Sequence, residues 1–189
     1  MTRVTHDGRR YSNAEEDRVV LVDYDPGWPA LFEAEAARLR AILATLELDP
    51  FRLEHFGSTT IPGISAKPII DIMLVSADQS RWPGLIEPIK SLDYVYWAEN
   101  SRSDRMFFVK GMPPFGTRRT HHVHVRTPED GHPALVFRDY LRDHPDAGAR
   151  YARLKRELEA RHPTDRDAYT AGKEAFVAEI VRRAEGAPS

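Results

Sequence analysis

Residues 51–75 read FRLEHFGSTTIPGISAKPIIDIMLV, and the fold turns on how they are parsed. Phe51 to Phe56 alternates, with Phe51, Leu53 and His55 on one face, the pattern of a half-buried strand. Gly57 to Gly63 is dense in glycine, proline and small hydroxyl residues, which is turn chemistry. Lys67 to Val75 is the most apolar run in the chain, rich in Ile and opened by a proline. That composition at that length predicts a strand buried on both faces. One charged residue, Asp71, stands in its middle. An acid in such a place is costly unless it meets a cation, a metal or hydrogen-bond donors.

Outward from this core the same reading extends in both directions. Arg18 to Tyr24 (RVVLVDY) predicts a strand, and Asp25-Pro26-Gly27 predicts a turn that opens a helix. Trp28, Leu31, Phe32, Leu39, Ile42, Leu43 and Leu46 then recur on one helical face to about residue 47. Downstream, Trp82 to Leu92 predicts a short helix, and Tyr94–Ala98 and Arg105–Lys110 predict a strand pair. A loop at Gly111–Gly116 precedes a strand from Thr120 to Thr127, which Pro128 ends. Three helices follow, at about 133–143, 146–161 and 165–184. The expectation is a mixed α/β sheet core over 18–130, preceded by a flexible N-terminal arm at 1–17. A helical C-terminal unit over 131–185 packs on that core.

Composition narrows the function. The 189 residues carry 27 basic and 29 acidic side chains, a net charge of −2, so no extended nucleic-acid surface is expected. Cysteine is absent, which excludes disulfides, thiolate zinc sites and cysteine nucleophiles. A metal would have to be held by His, Asp, Glu or backbone oxygen. No apolar run is long enough to span a bilayer and no signal-peptide pattern opens the chain, so the expected location is cytoplasmic, without a membrane partner.

Three groups of residues suit chemistry. The turn Gly57-Ser58-Thr59 presents backbone N–H groups and hydroxyls to a phosphate. His122 and His124 lie two apart on a predicted strand, so both imidazoles share a face, and His121 takes the other. If that strand neighbours the strand of Asp71, two imidazoles and a carboxylate meet in a three-ligand site for a divalent metal. His55, just before the turn, is a candidate fourth ligand or acid–base group. Lysine is scarce, with five in the chain, and Lys67, Lys155 and Lys173 sit where an anion would need them, as does Arg138. Tyr151 and Lys155 are four apart on one helix face, as are Tyr169 and Lys173. The run His122-Val123-His124-Val125 starts the histidine-triad hydrolase pattern, but Arg126 and Thr127 break it.

Glu54-His55-Phe56-Gly57-Ser58-Thr59-Thr60-Ile61-Pro62-Gly63-Ile64 and Ala66-Lys67-Pro68-Ile69-Ile70-Asp71-Ile72 closely resemble the GrpB family. The resemblance continues through Asp25-Pro26-Gly27-Trp28-Pro29, Thr120 to Val125, Phe137 to Arg142, Leu154-Lys155 and Gly172-Lys173, spanning roughly residues 18–183. It implies a nucleotidyltransferase-like core. It also implies that Gly57-Ser58 is the superfamily's phosphate turn and Asp71 the first of two metal-binding acids. The second acid position holds Met73, and a thioether does not replace a carboxylate on Mg²⁺. Some relatives of this kind are fused to a dephospho-CoA kinase domain; the sequence has no GxxxxGK[ST] motif.

Together these readings predict a protein that binds a nucleotide or other phosphate-bearing small molecule between the core and the helical unit. Asp71, His122 and His124 hold a divalent metal (Mg, Mn or Zn), Asp71 and His55 serve catalysis, and Gly57, Ser58, Thr59, Lys67, Arg138, Lys155 and Lys173 hold phosphate. The chemistry is nucleotidyl transfer or phosphoester hydrolysis. The alternatives are a non-catalytic nucleotide or CoA-precursor binding module, favoured by Met73, and a metal enzyme using two histidines and one carboxylate.

Overall fold

The computed structural model describes residues 3–4, 10–11, 18–46, 50–100 and 104–186. Strands β1 (Arg3–Val4) and β2 (Arg10–Tyr11) pair antiparallel as a short ribbon. The remainder of the arm expected over 1–17 lies outside the described residues. Among the described residues the chain divides into two compact units. The first draws on Gly27–Phe56 and Ile69–Gly131; the second draws on Asn13–Pro26, Gly57–Pro68 and His132–Ser189.

The first unit is a five-stranded mixed sheet backed by helices. Helix α1 (Trp28–Leu43) carries Pro29 in its first turn, where the missing N–H costs nothing, and buries Trp28, Phe32, Ala36, Leu39 and Leu43. Strands β3 (Arg52–Phe56) and β4 (Ile70–Val75) pair antiparallel. After a 3₁₀ turn at Gln79–Leu85 come the short helix α2 (Ile86–Lys90) and strands β5 (Tyr94–Tyr96), β6 (Arg105–Lys110) and β7 (His121–Arg126). The strand order is β3-β4-β7-β6-β5, with β4 and β7 parallel and the other neighbours antiparallel. Ile72, Leu74, Phe108, Val123 and Val125 are wholly buried, as expected of interior strands. Before β7 the chain turns back at Gly111, whose φ of +87° only glycine adopts without strain.

Helix α3 (Pro128–Asp143) starts in the first unit. Its first turn is held by Thr127 Oγ1, which accepts from Asp130 N at 3.2 Å and donates to Asp130 Oδ2 at 3.0 Å. The second unit packs the rest of α3 with α4 (Pro145–Arg161), α5 (Arg166–Ala171) and α6 (Glu174–Ala184). Its core gathers Ile61, Ile64, Phe137, Leu141, Ala147, Tyr151 and Ile180.

Two expectations change here. Arg18–Tyr24 is extended but joins no ladder. Val19 N bonds Pro163 O, Leu21 N bonds Glu159 Oε1, and Val22 alone bridges Ala66, so its backbone donors are spent on helices and a loop. The helix expected over 165–184 is broken at Gly172-Lys173. Gly172 comes so close to α4 that an added Cβ would sit 2.4 Å from Leu158 Cδ2, which explains why glycine ends α5 there.

Candidate functional site

Strand register builds the site. The parallel pairing of β4 and β7 sets Asp71 opposite His122 and Met73 opposite His124. Period-two alternation then places all four on one face of the sheet. The same rule brings Glu54 and Phe56 of β3 and Phe107 and Val109 of β6 to that face. His122 Nδ1 lies 2.9 Å from Asp71 Oδ1, and His124 Nε2 lies 3.5 Å from the same oxygen. One ligand atom from each of the three residues falls within 4.8 Å of the others.

Aromatic rings wall the cluster. Phe107 stands 5.0 Å from the His122 ring and 4.8 Å from the His124 ring, and Phe56 meets His124 edge-on at 5.0 Å. Behind Phe107, the residues Trp97, Val109 and Met112 form a small apolar cluster. This wall lowers the local dielectric, and the ionisation states follow. Burial alone would raise the Asp71 carboxyl, but its contacts to His122 and His124 outweigh burial and hold it well below the usual carboxylate range. Burial pushes His122 down to about 4, against the opposing pull of Asp71. At neutral pH the pair is therefore a carboxylate and a neutral imidazole. A carboxylate only accepts, so the proton rests on His122 Nδ1 and leaves Nε2 as a bare lone pair.

These residues fit a metal. Bonds of 2.0–2.2 Å to N and O ligands imply ligand–ligand edges of about 3.0–3.5 Å. The 3.5 Å edge from Asp71 Oδ1 to His124 Nε2 falls in that range, while the 2.9 Å contact to His122 Nδ1 is the hydrogen bond that orients the ring. His122 Nε2 and His124 Nε2 are buried and accept or donate no hydrogen bond in the structure, although such atoms are normally satisfied. Two imidazoles and one carboxylate are the donor set expected for Zn²⁺, Mn²⁺ or Fe²⁺.

The other expected site residues divide. His55 does not join Asp71. It pairs in register with Ile72, points to the opposite face and stacks on Phe32 of α1, with centroids 4.7 Å apart and planes 5° apart. Its expected acid–base role beside Asp71 gives way to a core position. Gly57, Ser58, Thr59, Lys67, Arg138, Lys155 and Lys173 belong to the second unit. Gly57 has φ +77° and opens a 3₁₀ turn over Ser58–Thr60, locked by Thr60 Oγ1 donating to Gly57 O at 2.7 Å. Thr59 is buried within that turn. Arg138 turns its guanidinium fork onto Asp139, with bonds of 2.7 and 3.0 Å, so the neighbouring carboxylate takes the place expected for a phosphate. In its stead Arg142, which sequence reasoning passed over, donates from Nε to Thr60 O at 3.0 Å and ties the turn to α3.

The three lysines do converge. Lys173 Nζ stands 4.5 Å and Lys67 Nζ 5.2 Å from the centre of the Tyr169 ring. Lys155 Nζ lies 4.8 Å from the Tyr151 ring and donates to the Ser65 carbonyl. Burial, reinforced by Lys173 and Arg156, pushes the Lys155 ammonium down to about 7. Glu54 was also overlooked. The alternation that put Leu53 and His55 on one face already assigned Glu54 and Phe56 to the other, and only the β3–β4 register was missing.

Comparison with known proteins bears on the fold and the family. UPF0157 protein PA4798 of Pseudomonas aeruginosa is 50% identical over 178 residues, covering 94% of this chain and 72% of that protein. A dephospho-CoA kinase of Mycolicibacterium paratuberculosis is 34% identical over 191 residues, and the chain spans 46% of its length. The crystal structure of GrpB from Enterococcus faecalis superposes with a TM-score of 0.74 at 33% identity, covering 87% of this chain and 96% of that one. The RNA terminal uridylyl transferase Cid1 matches with a TM-score of 0.51 at 12% identity, over 74% of this chain and 42% of its own, a likeness of fold. The core is thus nucleotidyltransferase-like in fold. Among the described residues no helix is long and apolar enough to cross a membrane. The GrpB protein family matches residues 18–183, and the chain belongs to that family.

Proposed function

We propose that this chain binds one divalent metal through Asp71, His122 and His124, and acts on the phosphoester of a nucleotide or another phosphate-bearing small molecule. The observation that carries the reading is the convergence of one carboxylate and two imidazoles, His122 buried and His124 half-buried, made by the parallel register of β4 and β7. A metal held there would polarise a phosphoryl oxygen or acidify a bound water. The chain's own contribution is positional. Asp71 orients His122 through its Nδ1–H, and Phe56 and Phe107 keep bulk water from the imidazoles. We assign anion binding to the Gly57-Ser58 turn, Lys67 and Lys173 of the second unit; Lys155, buried on the Ser65 carbonyl, stands behind them. The reaction class is nucleotidyl transfer or phosphoester hydrolysis.

Met73 supports a second reading, a non-catalytic module that binds a nucleotide or CoA precursor. Its buried thioether stands where the related fold carries a second metal-binding acid.

The test is thermal unfolding with Mg²⁺, Mn²⁺ or Zn²⁺, crossed with a nucleotide panel, for the wild type and Asp71→Asn. A ligand at 100 times its Kd adds about 2.7 kcal/mol, a shift of several degrees. The proposal expects a metal shift, a nucleotide shift that needs the metal, and loss of both in Asp71→Asn. A metal shift that survives Asp71→Asn refutes the assignment of the site. Binding without turnover selects the second reading.

A further inference from the structure

The second unit contains a groove of about 500 Å³ among its helices, and Asp71, His122 and His124 are not among its lining residues. Pro133 of α3 and Val177, Ala178 and Val181 of α6 give it an apolar lining. Val177 and Val181 also pack against the buried core of this unit, so the lining is anchored from behind. Its charges are few: Lys173 and Arg182 against Glu174.

Two further cations bias the surroundings. Tyr151, which lines the groove, carries the Lys155 ammonium at 4.8 Å from its ring. Lys173, also in the lining, shares the Tyr169 ring with Lys67. Lys173 therefore lines the groove, and Lys155 stands against its Tyr151 wall. A volume of this size suits a drug-sized ligand, which an apolar lining binds and a few polar groups orient.

We propose that this groove is a binding site for a small organic anion, with its hydrocarbon or aryl body on Val177, Ala178 and Val181 and its carboxylate, sulfonate or phosphate head at Lys173. The charge balance selects an anionic head, and the apolar lining selects an amphiphile over inorganic phosphate. Lys173 is also in the anion-binding set assigned above, and what distinguishes this occupant is binding that needs no metal.

The probe is 8-anilinonaphthalene-1-sulfonate, titrated by fluorescence into the full chain with and without EDTA. We expect one probe per chain and the same affinity in EDTA. Lys173→Met should weaken binding about two- to fivefold, the effect of one partly exposed charge. Ala178→Trp fills the groove from an exposed position on α6 and should weaken binding more than tenfold with the far-UV circular dichroism unchanged. Dodecanoate should displace the probe, and dodecyltrimethylammonium, with the same tail and the opposite charge, should not. Equal competition by the two detergents refutes the anionic head. Unchanged affinity in both variants refutes the site. Dimerisation that Ala178→Trp abolishes would reassign the groove to a second copy of the chain.

Discussion

Lys155→Met should change the sign of its effect on stability as pH rises. Lys155 is 1% exposed, and its ammonium titrates near 7 instead of 10.5, first because burial strips its hydration and then because Lys173 and Arg156 repel it. The unfolded chain keeps the ordinary value. Below pH 7 both states hold the proton, and the folded state carries the whole cost. Between pH 7 and 10.5 the unfolded state binds a proton that the folded state has shed, so stability rises with pH. At about 1.4 kcal/mol per pH unit, the full gap is about 5 kcal/mol. Methionine removes that cost but leaves the Ser65 carbonyl without its donor, a loss of about 1–3 kcal/mol. The variant should therefore be about 2–4 kcal/mol more stable than wild type near pH 6.5. By about pH 10, where the neutral amine still donates to Ser65 and little of the linkage cost remains, it should be about 0–2 kcal/mol less stable. Urea unfolding of both proteins at half-unit steps from pH 6.5 to 10 measures the difference, and titrations common to both cancel. A difference that stays constant across this window would show that Lys155 is not desolvated as the structure has it.

Two further substitutions test the local geometry. Gly111→Ala places a Cβ 2.1 Å from the Arg118 carbonyl oxygen on a backbone of φ +87°. The left-handed conformation alone costs about 1–2 kcal/mol, so chemical denaturation should show a loss of at least that size; an unchanged midpoint would contradict the turn. His55→Ala removes a ring stacked on Phe32 in the core and should cost about 2–3 kcal/mol. It should leave any metal-induced rise in Tm intact, because His55 and Asp71 are on opposite faces of the sheet; loss of that rise would restore His55 to the site.

Much of this was legible in the residues. The period-two run at Phe51–Phe56 and the buried run ending at Val75 became β3 and β4, and His122-x-His124 lies on one face of β7 as alternation requires. Pairing was not legible. No local signal in Arg18–Tyr24 distinguishes a strand from an extended segment whose donors find Pro163 and Glu159, residues more than a hundred positions away. The same limit explains His55. Its neighbour Phe56 faces Asp71, His122 and His124, and which of the two does so depends on the β3–β4 register alone. Arg138 failed for the opposite reason, since its partner is the next residue and a fork fully matched by Asp139 has little left for a phosphate.

Register also explains why one imidazole-rich centre, and not a pair of hard ions, suits this face. Because β4 and β7 run parallel, the spacing Asp71-x-Met73 is laid row by row against His122-x-His124. The first row offers a carboxylate and an imidazole; the second offers a thioether and an imidazole. Met73 is 1% exposed, and the first turn of α3 closes over it so tightly that a Cβ on Gly131 would stand 2.6 Å from its sulfur. The space a second carboxylate would need is filled by packed atoms, with glycine at 131 as the condition of that packing. Mg²⁺ requires oxygen ligands in near-octahedral array, whereas Zn²⁺ and Mn²⁺ accept imidazole. The packing at Met73 thus argues for a single borderline metal in the proposed centre, a preference that the metal series with Asp71→Asn reads directly.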